Sequence, residues 1–339
     1  NGIKIFKKNG QKLSDEEEII IERKIDRVKT IQSISNSPIS YKKFEIKIYK
    51  NFLTKKFKEF NISGLKVVID CANGSVYKLA PNFFKKFGCK VISYSDKPNG
   101  KNINKNCGAT FPDRIAKLTK KHKANIGLSF DGDADRVVIS TENGDIIDGD
   151  KALSIICKYH KDNSKSFESV VSTKMSNIAF RDFIKKLKIR LFLSNVGDRY
   201  VIEKMKKYKS KLGGEPSGHI IFSDNGYCGD GILTAICIMN ILKNKNITLS
   251  KLSESLYKKN FQSLVNLQTY KNPDFILKRI DIKNLKKKFL LTNENIDFLI
   301  RKSGTENLIR IMVQSNKKTY VNKLINEIVN KIKEIDEKK

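Results

Sequence analysis

Ser129-Phe130-Asp131-Gly132-Asp133-Ala134-Asp135-Arg136-Val137-Val138-Ile139-Ser140 is the stretch on which the reading of this chain turns. Three carboxylates at alternate positions lie between two runs rich in apolar and β-branched residues. They therefore crowd into one tight turn, where their mutual repulsion is costly without a cation. An EF-hand also opens Asp-x-Asp-x-Asp, and here even the twelfth position, Glu142, is acidic. The sixth position decides against it: that loop needs Gly for its sharp turn, and this chain has Arg136. The flanks 126–130 and 137–139 also read as strands rather than helices. A strand, acidic turn, strand arrangement with an adjacent Arg suits Mg²⁺ held beside a phosphoryl group, with coordination positions left open for phosphate oxygens. A solvated acidic hairpin would need only ordinary turn residues, and three alternating Asp plus Arg exceed that requirement.

Outward from the loop, the pattern is α/β. Leu65-Lys66-Val67-Val68-Ile69-Asp70 reads as a strand, followed by a helix stopped at Gly88, a strand from Cys89 to Ile92 and a helix over 112–122. The acidic loop thus closes a βαβαβ-like unit. A second unit follows, with helices over 151–160, 178–188 and 231–242 and strands over 169–172 and 190–193. The last block has strands near 296–300 and 308–313 and a terminal helix from Thr319 to about Ile335, a small α+β domain. At the other end, 2–6 reads as a short strand ending at Asn9-Gly10. Ser14 and Glu17 make a capping box for a helix to about Val28, 30–38 reads as a linker, and 41–60 as a helix. The expected divisions are 1–40, a remnant of a first domain; 41–148, carrying the metal loop; 149–258; and 259–339.

At 339 residues, two to three domains are expected. The balance of 67 basic against 36 acidic residues gives +31, which invites a polyanionic partner. Only ten of the basic residues are Arg, however, and the lysines are scattered among Asn, Ile and Phe. Lys without Arg or clustered aromatics is a poor reader of bases, so a solvated lysine surface is expected and no specific nucleic acid. Six Cys form no C-x-x-C pair, which signals neither a zinc site nor a disulfide framework and suits a cytoplasmic protein. No apolar run is long enough for a membrane span.

Two further constellations carry chemistry. Arg301-Lys302-Ser303-Gly304-Thr305-Glu306, between the last two strands and followed by Arg310, offers hydroxyls, backbone N–H groups and two guanidinium groups. A dianionic phosphate would want such a set, although an ordinary basic hairpin could look the same. Gly214-Glu215-Pro216-Ser217-Gly218-His219 places a carboxylate and a hydroxyl two residues apart, pointing the same way if the backbone is extended. Such a pair can accept from and donate to neighbouring sugar hydroxyls; a plain β-turn is the alternative.

The three motifs occur in the order and at about the spacing seen in the α-D-phosphohexomutase superfamily, and the resemblance covers essentially the whole chain. Thr173-x-Met175-Ser176-Asn177, Val196-Gly197-Asp198-Arg199-Tyr200, 98–104 and Cys107-Gly108-Ala109-Thr110 look like its phosphoglucosamine mutase branch. The resemblance implies two three-layer α/β domains, a C-terminal α+β domain and Mg²⁺ held by Asp131, Asp133, Asp135 and a phosphoserine, with Arg136 on that phosphoserine. It further implies a phosphosugar substrate met by Glu215, Ser217 and His219. Arg301, Ser303, Gly304, Thr305 and Arg310 would grip the phosphate that is not transferred, and Lys4 would lie near the transferred one. The family's Ser-His-Asn-Pro-type loop has no counterpart in these residues, so the chain by itself is expected to be inactive. Pro216, where that branch has a polar residue, and Asn307, where Pro is common, are departures.

Overall fold

The computed structural model describes residues 5–8, 12–28, 44–164, 167–279, 284, 295–303 and 307–337. The linker expected over 30–38, and Lys4, Gly304 and Thr305, lie outside the described residues. Near the start, Phe6 and Lys12 form an antiparallel bridge. Helix α1 (Asp15–Asp26) opens with the expected capping box, in which the Ser14 hydroxyl accepts from the Glu17 N–H and the Glu17 carboxylate accepts from the Ser14 N–H. Helix α2 (Phe44–Lys56) leads into the first sheet.

That sheet is built from β1 (Lys66–Asp70), α3 (Leu79–Lys86), β2 (Lys90–Tyr94), α4 (Pro112–Lys121), β3 (Ile126–Phe130), β4 (Val137–Thr141) and β5 (Ile146–Ile147), with strand order β2-β1-β3-β4-β5. β1 runs parallel to β2 and β3, so each connection needs a crossover, which α3 and α4 supply. β4 turns back antiparallel to β3, and the acidic stretch is the turn between them. Gly88 ends the α3 segment at φ +81°, and a Cβ there would sit 2.5 Å from the Ser63 hydroxyl.

The second unit runs α5 (Gly149–Asn163), β6 (Ser169–Thr173), α6 (Ile178–Lys186), β7 (Arg190–Ser194), α7 (Asp198–Tyr208), β8 (Leu212–Gly214), β9 (Ile220–Phe222), α8 (Gly231–Lys245) and α9 (Leu249–Glu254), with sheet order β7-β6-β8-β9. Helix α8 is buried on every side over 231–242, apart from half-buried Cys237, and only its last turn, from Lys243, is exposed. A helix of that kind belongs between layers. One continuous core therefore joins Val67, Ile69 and Phe84 of the first unit to Phe180, Ile236 and Met239 of the second.

The third unit is β10 (Phe261–Gln268), α10 (Pro273–Arg279), β11 (Ile296–Lys302), β12 (Leu308–Ser315) and α11 (Lys318–Glu337), an antiparallel sheet in the order β10-β12-β11. Alternation sends Ile309, Ile311 and Val313 toward α11, where they pack with Leu324, Ile328 and Ile332 in a separate core. The opposite face meets the second unit through side-chain amides. Asn177 donates to the Asn260 carbonyl and accepts from the Asn260 N–H, both at 3.1 Å. Gln314, buried, accepts from the Ile178 N–H at 2.9 Å and donates to the Ser176 carbonyl at 3.2 Å. Arg181 pairs with Asp297 at 2.7 Å beside them.

Replacing Gln314 by Leu leaves the Ile178 N–H and the Ser176 carbonyl buried without it. A loss of about 2–4 kcal/mol follows from two such groups. The third unit should then melt or be cleaved by protease ahead of the rest, which scanning calorimetry and limited proteolysis would register.

Candidate active site

The hairpin register pairs Phe130 with Val137, so residues 131–136 form the turn. Ala134 adopts φ +61° within it. Each of Asp131, Asp133 and Asp135 offers one carboxylate oxygen, and the three oxygens lie within 4.8 Å of one another. The Arg136 N–H donates to Asp131 at 3.2 Å, and its guanidinium Nε stands 3.8 Å from Asp131 and 3.6 Å from Asp135. Burial, then the charges of Asp135 and Asp133, push the Asp131 carboxyl up to about 6 against the pull of Arg136. One guanidinium thus leaves the turn short of positive charge. A set of hard carboxylate oxygens in that state fits a small divalent cation such as Mg²⁺. Glu142, the twelfth position of the rejected EF-hand, is engaged elsewhere. It accepts from the Ser250 N–H and hydroxyl at the start of α9, and those bonds outweigh its burial to hold its carboxyl below the usual range.

Backbone from three directions fixes the turn. The Ser75 N–H donates to the Gly132 carbonyl at 2.8 Å, and a Cβ on Gly74 would fall 2.3 Å from that oxygen. On the second unit's side the Val137 N–H donates to Gly218 at 3.2 Å, and the Gly231 N–H, at the start of α8, donates to Ala134 at 3.0 Å. The turn that carries the residues expected to meet the sugar is thus bonded, through Gly218, to the strand leaving the acidic turn.

Residues 215–218 are not extended. The Gly218 N–H donates to the Glu215 carbonyl at 3.0 Å, closing a β-turn with Pro216 at its second position and Gly218 at φ +92°. Glu215 is buried and accepts from the Gly197 N–H at 2.9 Å, while Ser217 is exposed at the tip. His219 is 2% exposed; its Nδ1 lies 3.5 Å from Asp135, and its Nε2 lies 3.9 Å from Asp198 and meets no hydrogen-bond partner among the described residues. Asp198 also pairs with Lys12 from the first bridge. Burial pushes Asp198 up, but Lys12 and His219 outweigh it and its carboxyl lies below the usual range. Neither Lys12 nor the position of Asp198 as the first residue of α7 is apparent from the motifs. The apolar pair Val201 and Met205, one helical turn apart, is the signal that would have placed α7.

Across the third sheet, Arg301 on β11 lies opposite Arg310 on β12, which lies opposite Asn266 on β10. With Met175 from the second unit they line a cavity of about 190 Å³. Burial and then the charge of Arg310 lower Arg301, while the Glu215 carboxylate opposes them. Two adjacent guanidinium groups at a buried Ser303, whose hydroxyl meets no partner among the described residues, form an anion-seeking corner.

The raised Asp131 gives a signed pH prediction. Its folded value lies above the 3.8 of the unfolded chain, so without metal its contribution to stability is full below 3.8 and is lost as pH rises through about 6. By calorimetry, Asp131→Asn should raise the metal-free melting temperature at pH 7 by a few degrees, give no such gain at pH 4, and weaken the upward shift caused by Mg²⁺.

Residues 47–144 match the family model for phosphoglucomutase/phosphomannomutase alpha/beta/alpha domain II, and residues 148–260 match the model for domain III. The phosphoglucosamine mutase of Dictyoglomus turgidum is 38% identical over 343 residues, covering 98% of this chain and 75% of the relative. That of Campylobacter jejuni strain RM1221 is 40% identical over 339 residues, covering 97% and 74%. Among solved structures, an N-acetylglucosamine-phosphate mutase in its product complex aligns at TM-score 0.70 and 19% identity, over 83% of this chain and 65% of that one. The Aspergillus fumigatus N-acetylphosphoglucosamine mutase, solved with GlcNAc-6P and magnesium, aligns at 0.69 and 21%, over 85% and 65%. The structural likenesses show the fold, and the two sequence relatives show the branch: the chain belongs to the phosphoglucosamine mutase family of the α-D-phosphohexomutases.

Proposed function

We propose that this chain provides the metal, sugar and distal-phosphate sites of an enzyme that interconverts glucosamine 6-phosphate and glucosamine 1-phosphate in the cytoplasm through a 1,6-bisphosphate. The observation that carries the reading is the backbone bond from Val137 to Gly218, which makes the acidic turn and the Glu215 turn neighbours. Asp131, Asp133 and Asp135 would hold Mg²⁺, which would supply neutralising charge beside a phosphoryl group. The phosphoryl group would come from a serine phosphate, and Arg136 would add a second positive charge beside it. Glu215 accepts from a sugar hydroxyl, Ser217 donates to or accepts from its neighbour, and His219 backs them from the buried side. Arg301 and Arg310, with Ser303, Gly304 and Thr305, hold the phosphate that stays on the sugar. Because that corner reads only a phosphate, the sugar can present either of its ends to the metal loop, as a mutase requires. Lys4 is assigned to proton transfer at the reacting oxygen. The chain divides at about 40, 148 and 258 in this reading. All six cysteines are free, which suits a reducing compartment, and no helix among the described residues is long and apolar enough to cross a membrane.

Turnover of the full-length gene product on glucosamine, mannose and glucose phosphates tests the assignment. Preference for glucosamine phosphate is expected, whereas preference for mannose or glucose would make the enzyme a phosphomannomutase or phosphoglucomutase of the same superfamily. In that protein Asp133→Asn should cut turnover more than about a hundredfold with an unchanged circular dichroism spectrum. Near-normal turnover would refute the metal site.

A further inference from the structure

We propose that Asp70, at the carboxyl end of β1, is a positioning residue for the metal loop. The inference rests on the reading of Asp131, Asp133 and Asp135 as ligands, none of which Asp70 touches. Asp70 is 0% exposed, and its carboxylate gathers three donors: the Ala72 N–H and the Gly108 N–H, each at 3.1 Å, and the Arg114 guanidinium. Arg114 also donates to the Ser95 hydroxyl at 2.7 Å, and the Ser95 carbonyl accepts from the Asn73 N–H at 2.6 Å.

Each bond leads to the metal loop. Ala72 and Asn73 both adopt left-handed backbone, φ +54° and +48°, a conformation that L residues enter only when held. That turn sets the Ser75 N–H on the Gly132 carbonyl. Gly108 sets the Ala109 N–H on the Phe130 carbonyl at 2.9 Å, and the two clamps lock to each other where the Asn104 N–H donates to Ala72 at 2.9 Å. Phe130 and Gly132 flank Asp131. One buried carboxylate therefore fixes both peptide neighbours of a ligand through two loops distant in sequence. Burying the Asp70 carboxylate is costly in itself, and its partner Arg114 is 34% exposed, so the pair adds little net stability. Its product is geometry at Asp131.

Asp70→Asn keeps size and removes charge, but it sets an amide donor against the donors of Gly108 or Arg114. With Mn²⁺ as the probe, isothermal calorimetry should show affinity weakened by about ten- to a hundredfold, the range typical of residues that orient ligands. Hydrogen exchange should quicken over 130–136 and stay unchanged over 308–315. Ile238→Val in α8 serves as a control for mild destabilisation and should leave Mn²⁺ affinity as in the parent. Parental affinity and parental loop exchange in Asp70→Asn would overturn the proposal, as would equal weakening in the control. If Asp70→Asn does not fold, Arg114→Met carries the test, with a smaller weakening expected and none overturning it. A parent that binds no Mn²⁺ would sink the ligand assignment, while the exchange data would still decide the role of Asp70.

Discussion

Repulsion among three carboxylates in a six-residue turn is the constraint around which this protein is arranged. Left to itself the turn would open, since Asp131 is half-buried and, among the described residues, a single guanidinium, that of Arg136, stands near. It stays closed because backbone groups grip it from several sides, and each grip requires a glycine or a strained residue at a particular place: Gly74 against Gly132, Gly231 against the carbonyl of Arg136, Ala134 in left-handed backbone. The fold gives up local conformational freedom to keep negative charge concentrated. A cation then finds the desolvation and ligand orientation already in place.

The two α/β units and the third unit stand in different relations to that turn. Helix α8 begins on the Ala134 carbonyl and runs through the core common to both α/β units, so the acidic turn and the Glu215 turn sit on a single packed body. The third unit has its own core and, among the described residues, meets that body through side-chain amides, the ion pairs Arg181–Asp297 and Lys259–Asp148, and Met175 at the arginine cavity. Polar contacts of this kind reform more readily than interdigitated apolar ones. The arginine corner is therefore carried by the part of the structure best able to shift against the rest.

Much of this was legible in the residues. The acidic turn announced itself because alternate carboxylates between β-branched runs have few other uses, and Arg136 at the sixth position removed the competing loop. The capping box at Ser14 and the crossover helices followed from local rules. What stayed hidden depends on pairing between distant strands. Arg301 and Arg310 become neighbours only through the register of β11 and β12, and Lys12 meets Asp198 across 186 positions. Of the two backbones open at 215–218, extended or β-turn, the turn forms because Pro216 and Gly218 favour its second and fourth places. Asp70 looked like the plain end of a strand, since nothing in its surroundings in sequence reveals Gly108 or Arg114.

The contact between Val137 and Gly218 has a consequence for anyone who would redesign this enzyme. A Cβ at Gly218 would come 2.3 Å from the Val137 carbonyl, so no side chain enters there without moving β4. On the roles proposed for these residues, a change that rebuilds the Glu215 turn would therefore also move the strand that leaves the acidic turn. The two turns are not independent parts of this scaffold, and libraries that vary the Glu215 turn need to keep its last residue as it is.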